Sequence, residues 1–366
     1  MLPNANMNNA IKFGIAGAII IAVIGSSISS STVDLFGTVN DGGGTNMQTS
    51  EQKTLRIGYF PNINHAQAVI GLGRGDFQRA LGDNVQVTTQ TFNAGPSALE
   101  ALLANQVDVT YVGPNPAING YVQSHGEALR IIAGATSGGA VFVVRNDSGI
   151  NSPQDLANKK FSSPQLGNTQ DVALRKYLLD NGYKTKEDGG NVEVIPAKAA
   201  DIISLMIKKD IDGAWVPEPW GAKLMKEANA KVLVDERDLW PNGQFVSAHI
   251  VARPDYIEKN PDIIKRLLEA HVNMTAWIND NSEDALQIFN VELNKLTGQT
   301  IPEDELREGI SRIELTYDPV KESLFKAAND AFDIGFLGKT RPDLSGIYDL
   351  KSLNEVLKER GLQEIT

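Results

Sequence analysis

The sequence contains no cysteine. That absence removes disulfides, a thiol nucleophile, thiolate-held metals and a lipid-modified cysteine anchor together. Histidine is nearly as scarce: His65, His125, His249 and His271 are dispersed along 366 residues and suggest no metal site. Basic residues are outnumbered, 34 against 45 acidic ones, and a net charge of −11 has the wrong sign for gripping nucleic acid. Hydrolase signatures are missing too, with no G-x-S-x-G and no H-E-x-x-H. Two glycine-rich look-alikes fail on detail. Gly71-Leu72-Gly73-Arg74-Gly75 lacks dinucleotide spacing and falls inside an expected helix, while Gly338-Lys339-Thr340 has Asp333 where a phosphate loop needs glycine. The expectation is a protein that is not an enzyme and uses no cofactor or metal.

One long apolar run is present, residues 13–28 (FGIAGAIIIAVIGSSI), after a polar start carrying Lys12 and before the small residues 29–32. A basic start, an apolar stretch and a small-residue exit form the layout of a secretory leader. The run also approaches the roughly 20 residues needed to span a bilayer. A cleaved leader and a retained membrane anchor over 1–31 fit alike, and both put the bulk of the chain outside the cytoplasm, in the periplasm or at the outer face of the membrane. Residues 32–53, rich in Gly, Asn, Ser and Thr, read as a flexible tether.

From residue 54 the pattern alternates strand and helix. Segments 55–60 (LRIGYF), 85–92 (VQVTTQTF) and 107–112 (VDVTYV) read as strands, with helices expected at 66–81 and from Gly95 to Ala104. A further strand is expected at 129–133. A second series follows 141–145 (VFVVR): strands at 160–163, 192–195, 213–216 and 232–235, with helices at 168–181 and 199–208. Segment 244–253 (QFVSAHIVAR) leads back, and the rest is mainly helical. The expected fold class is α/β: two lobes, each a small mostly parallel sheet flanked by helices, with extra helices at the C-terminus. Lobe 1 would hold 54–144 plus 247–366, and lobe 2 would hold 145–246.

In open parallel sheets, ligands bind beyond the carboxyl ends of strands. The candidates are therefore Asn62 and His65, Gly95 and Ser97, Gly113 and Asn115, Thr136 and Ser137, then Asn168, Thr169 and Gln170, and finally Trp215 and Glu218. Several of these loops open helices, whose N-termini offer unpaired N–H groups and partial positive charge to an oxyanion. Trp215 and Glu218 admit two readings: cleft wall with a carboxylate facing the guest, or core anchor with Glu218 capping the next helix. His65 could donate to an anion, or serve as a capping residue.

Four blocks carry a family resemblance: LRIGYFPNINHAQAVIGLGRGDF, FNAGPSALEALLANQVDVTYVGPNPAINGY, SSPQLGNTQDVALRKYL and DGAWVPEPWGAKL. In order and spacing they resemble the cleft loops of the nitrate/sulfonate/taurine-type substrate-binding proteins of ABC transporters. That group also includes binders of thiamine-precursor pyrimidines. The resemblance implies a type II periplasmic-binding-protein fold that closes as a monomer on a small anionic or polar solute. It also implies delivery to a membrane permease with a cytoplasmic ATPase. The implied polar contacts are Asn62, Ser97, Asn115, Ser137, Asn168, Thr169 and Gln170, with Trp215 and Glu218 across the cleft. An aliphatic sulfonate leads; nitrate, bicarbonate or a pyrimidine are alternatives, and an enzyme like the fungal pyrimidine synthases is a more distant one. These loops contain no Arg or Lys, which points to a monoanion or neutral polar solute.

Overall fold

The computed structural model describes residues 52–366. The leader or anchor at 1–31 and nearly all of the tether lie outside the described residues, and Lys53 already belongs to a strand. Among the described residues no helix is long and apolar enough to cross a membrane.

The first half of the chain runs β1 (Lys53–Tyr59), α1 (Ala66–Gly73), α2 (Asp76–Leu81), β2 (Val85–Thr91), α3 (Gly95–Leu103), β3 (Val109–Val112), α4 (Pro114–Gln123) and β4 (Arg130–Gly138). The second series is β5 (Ala140–Arg145), β6 (Lys160–Pro164), α5 (Thr169–Asp180), β7 (Glu193–Ala197), α6 (Ala199–Ile207), β8 (Gly213–Pro217), α7 (Trp220–Glu227) and β9 (Ala230–Asp235). The chain then returns through β10 (Val246–Ala252) into α8 (Pro254–Lys259), α9 (Pro261–Asp280), α10 (Ser282–Thr297), α11 (Glu303–Ile310), β11 (Ile313–Leu315), α12 (Lys321–Asp333) and α13 (Lys351–Glu359).

Two sheets result. The first has the order β11-β4-β10-β3-β1-β2, and the second β7-β6-β8-β5-β9. In the first, β1 pairs in parallel with β2 and β3, while β10 runs antiparallel to β3 and β4, and β11 antiparallel to β4. In the second, β6 is parallel to β7 and β8, and β5 runs against both β8 and β9. One refinement of the expected boundary follows. β5, whose residues up to 144 were expected in lobe 1, pairs wholly within the second sheet, so the chain changes sheets at Gly138–Gly139.

Among the strands that sit between neighbours, β3, β5, β8 and β10 are buried along almost their whole length and read as near-continuous apolar runs, as two-sided burial requires. Edge strand β2 buries Val85 and exposes most of the residues after it. The largest core gathers Leu55, Ile57 and Tyr111 of the first sheet against Ile263, Leu267 and Leu268 of α9 and Phe289 of α10. Each such side chain contributes about 1.5–3 kcal/mol on burial. Helix α9 starts with Pro261 in its first turn, where the missing N–H costs nothing. The single helix expected over 66–81 is instead two, because Gly75 takes a left-handed conformation (φ 75°) between α1 and α2.

Candidate functional site

The carboxyl ends of β1, β2 and β3 face those of β6, β7 and β8 across a cleft. Two crossings join the sheets, Gly138–Gly139 between β4 and β5 and residues 236–245 between β9 and β10. They are tied together: Gly138 N–H donates to Phe245 O (2.9 Å) and Gly139 N–H to Arg312 O (2.8 Å). Both lie on one side, so the opposite edges, β2 and β7, form the outer rim.

Three helices begin at the cleft. Ala94, Gly113 and Asn168 are the N-cap residues of α3, α4 and α5, and none caps its helix with a side-chain hydrogen bond. Neither α3 nor α4 has an acidic residue in its first turn to offset the partial positive charge. The lobes touch here. A Cβ on Gly113 would overlap the Thr169 hydroxyl and come within 3.4 Å of Ser247 O. A Cβ on Gly95 would run into the Pro116 ring and approach Asn168 Oδ1 to 3.1 Å. Only glycine allows this approach between α5 of one lobe and the α3 and α4 turns of the other.

Thr169 Oγ1, at the start of α5, is buried without a hydrogen-bond partner, as are Asn62 Oδ1 and Asn64 Oδ1 in the loop after β1. Buried polar groups are nearly always paired, so the free Thr169 hydroxyl beside the Gly113 turn is open to polar contents. Asn64 Nδ2 donates to Ser247 Oγ (3.0 Å), which links the first cleft loop to the strand beside Gly113. Asn168 and Gln170 bond each other, Nδ2 to Oε1 at 3.3 Å, at the start of α5.

Other candidates hold the scaffold. The buried Thr136 hydroxyl donates to Asn64 O (2.6 Å), Ser137 Oγ accepts from Phe245 N–H (3.2 Å), and Asn115 Nδ2 donates to Ala327 O (3.3 Å) on α12. The Ser97 hydroxyl turns back to Ala94 O (2.9 Å). His65 is almost fully buried and stacked on Phe60. Its Nδ1 accepts from Phe60 N–H (3.3 Å), so the neutral ring carries its proton on Nε2. Burial drives its pKa down to about 3, so it is no cation for an anion.

Two candidates do not face the cleft. Trp215 is fully buried in the second lobe's core, stacked on Phe142, and its Nε1–H donates to Glu236 Oε2 (2.7 Å). Glu218 is also fully buried; it accepts from Ala222 N–H (3.0 Å) at α7 and from Arg312 Nη1 (2.9 Å). The core-anchor reading of Trp215 and the capping reading of Glu218 replace the cleft-wall reading, because their polar atoms are already spent.

Ser247 and Lys198 were not among the candidates, and Asn64 was passed over within the loop that holds Asn62 and His65. Ser247 interrupts an apolar strand, which is the signal that could have found it. Lys198 follows β7 and is the N-cap of α6, a strand end like the others. It lines a cavity of about 410 Å³ with Asn93, Ser97 and Leu166, so the cleft is not without a basic group. Among the described residues no group of three or more His, Asp or Glu could hold a metal ion.

The chain is 27% identical over 263 residues to a binding protein of Brucella abortus (strain 2308), covering 69% of this chain and 78% of that one. It is 27% identical over 187 residues to the taurine-binding periplasmic protein of Escherichia coli (strain K12), covering 51% and 56%. The solved periplasmic aliphatic sulphonate binding protein SsuA from Escherichia coli superposes with a TM-score of 0.66 at 21% identity, over 81% of this chain and 97% of that one. The two-lobed fold is therefore shared with periplasmic binding proteins. The sequence pattern of the NMT1-like family matches residues 48–290, and the chain belongs to that family.

Proposed function

We propose that the chain is the extracytoplasmic solute-binding component of an ABC importer. It takes a small oxyanion, an aliphatic sulfonate first of all, between its lobes and hands it to a membrane permease driven by a cytoplasmic ATPase. The observation that carries this reading is the meeting of three uncapped helix starts, α3, α4 and α5, from two lobes in contact. Their N–H groups and the unpaired Thr169 hydroxyl suit oxygen atoms of a single negative charge, with no cation needed beside them. The names of the taurine- and sulphonate-binding relatives support the same solute class.

A binding role suits the chemistry better than catalysis. His65, the one histidine at a cleft strand end, is held neutral and stacked, and the chain has no cysteine. The localisation follows from the role: capture occurs outside the cytoplasm, with the 13–28 run as leader or anchor.

The test is a calorimetric panel of taurine, alkanesulfonates, nitrate, bicarbonate and pyrimidines. A sulfonate should bind, and Asn168→Ala with Thr169→Ala should weaken it by about tenfold or more without unfolding, at roughly 1 kcal/mol per lost hydrogen bond. Unchanged affinity in that double variant sinks the site.

A further inference from the structure

The cavity beside Lys198 adjoins the helix starts but is not part of them. Ala94 and Ser97, from the α3 turn, belong to both. Asn93 flanks them, and the remaining walls come from the second lobe: Pro164 at the end of β6 with Leu166 after it, and Pro196 near the end of β7 with Lys198 after it. Strands β2 and β7 are sheet edges, so this cavity sits at the outer rim, opposite the two crossings.

Its chemistry differs from the inner wall. Ala94, Pro164, Leu166 and Pro196 make it largely apolar, and Lys198 is its one charged group. Among the described residues Lys198 makes no ion pair. Leu166 is 58% exposed, the highest value among the large apolar side chains of the described residues. It is held there by design: Gln165 and Gly167 on either side are both left-handed (φ 51° and 76°), and Asp171 fastens the turn. Its carboxylate accepts from Gly167 N–H (3.0 Å) and from the Ser163 hydroxyl (2.7 Å). An exposed leucine fixed beside an unpaired lysine is suited to a guest with an apolar stem and an anionic end.

We propose that this rim cavity is a second subsite, which takes the far end of an extended solute. The stem lies against Leu166 and the prolines, and a terminal carboxylate or second acidic group meets the Lys198 ammonium. This rests on the reading of the inner wall as an oxyanion site. The preferred solute is then a short alkyl chain with an acidic group at each end. Charge is separated along it, which agrees with an inner wall that has no cation of its own.

The experiment compares three probes of equal stem length by calorimetry at low salt: propane-1-sulfonate, 3-sulfopropanoate and 3-aminopropane-1-sulfonate. An exposed charge pair should favour 3-sulfopropanoate over propane-1-sulfonate by about two- to fivefold, less at high salt. Lys198→Met should bring that ratio to about one, and Lys198→Glu should invert it in favour of the amine. Equal ratios in the wild type and Lys198→Met overturn the subsite, even where propane-1-sulfonate binds well. Failure of all three probes to bind overturns the inner-wall reading and the subsite with it.

Discussion

Replacing Arg312 with methionine would leave the Glu218 carboxylate without its counter-charge in a place that water does not reach. Glu218 has no exposed surface, and Arg312 Nη1 stands 2.9 Å from Oε1 while Ala222 N–H reaches Oε2 at 3.0 Å. Burial already raises the Glu218 pKa above the ordinary carboxylate range, against the lowering effects of Ala222 N–H and Arg312. Breaking a buried pair by deleting one partner costs about 3–5 kcal/mol. Arg312→Met should therefore lose about that much in urea unfolding at neutral pH. Arg312 also meets Glu308 and lies 3.7 Å from Asp235, so the single variant mixes several losses. Adding Glu218→Gln separates them: the double variant should recover about 2 kcal/mol, since no charge is then stranded. The pH dependence has a definite sign. With its folded pKa above its unfolded one, Glu218 favours the folded state fully below the unfolded value of about 4.5 and loses that contribution as pH rises through the folded value. Losing Arg312 pushes the folded value higher still, so the deficit of Arg312→Met should shrink on acidification toward pH 5. A deficit below about 1 kcal/mol, or one that does not vary with pH, would refute the reasoning.

Three further outcomes are expected. Glu236, buried beneath Trp215, has its pKa pushed up by burial to about 7 from 4.5, so its contribution is full below pH 4.5 and lost as pH rises through 7. At 1.36 kcal/mol per pH unit this amounts to about 3 kcal/mol, and Glu236→Gln should flatten the urea-unfolding profile between pH 4.5 and 8. Gly113→Ala would push the Thr169 hydroxyl away and hold the lobes apart, at a cost of about 1–3 kcal/mol, or about 5- to 150-fold in solute affinity. Small-angle scattering should show a larger radius of gyration in that variant, and an unaltered one would mean the lobes do not close on this contact. Trp215→Phe should cost about 1–3 kcal/mol, because the Glu236 oxygen loses its donor inside the core; a neutral result in thermal melting would place water there.

The order of strands and helices was legible because each βα unit carries its own punctuation, such as Gly95-Pro96 and Gly113-Pro114 before helices. The placing of Asn168 and Thr169 at a helix start was legible for the same reason. Pairing between distant segments was not. Nothing local in 244–253 says that β10 runs antiparallel between β3 and β4, and β11 is three residues long after a helix, too short to alternate. Trp215 misled because a tryptophan just ahead of Pro217 and Pro219 looks like part of a stiff loop wall, whereas its indole N–H is claimed by Glu236, 21 residues on. Lys198 went unweighed although a helix was expected from residue 199, because the strand expected before it ended at 195 and Pro196-Ala197, which extend β7, read as a connection without a site.

The two crossings between the sheets lie together on one flank, with Gly138, Gly139, Phe245 and Arg312 bonded into a single knot. Such a layout works as a lever with its fulcrum at that knot. A small rotation there, taken up by a few backbone torsions, becomes the largest displacement at the β2 and β7 margins. On the proposed import role, a permease pressing on those margins would act with mechanical advantage on the bound solute while the knot that registers the two halves stays intact.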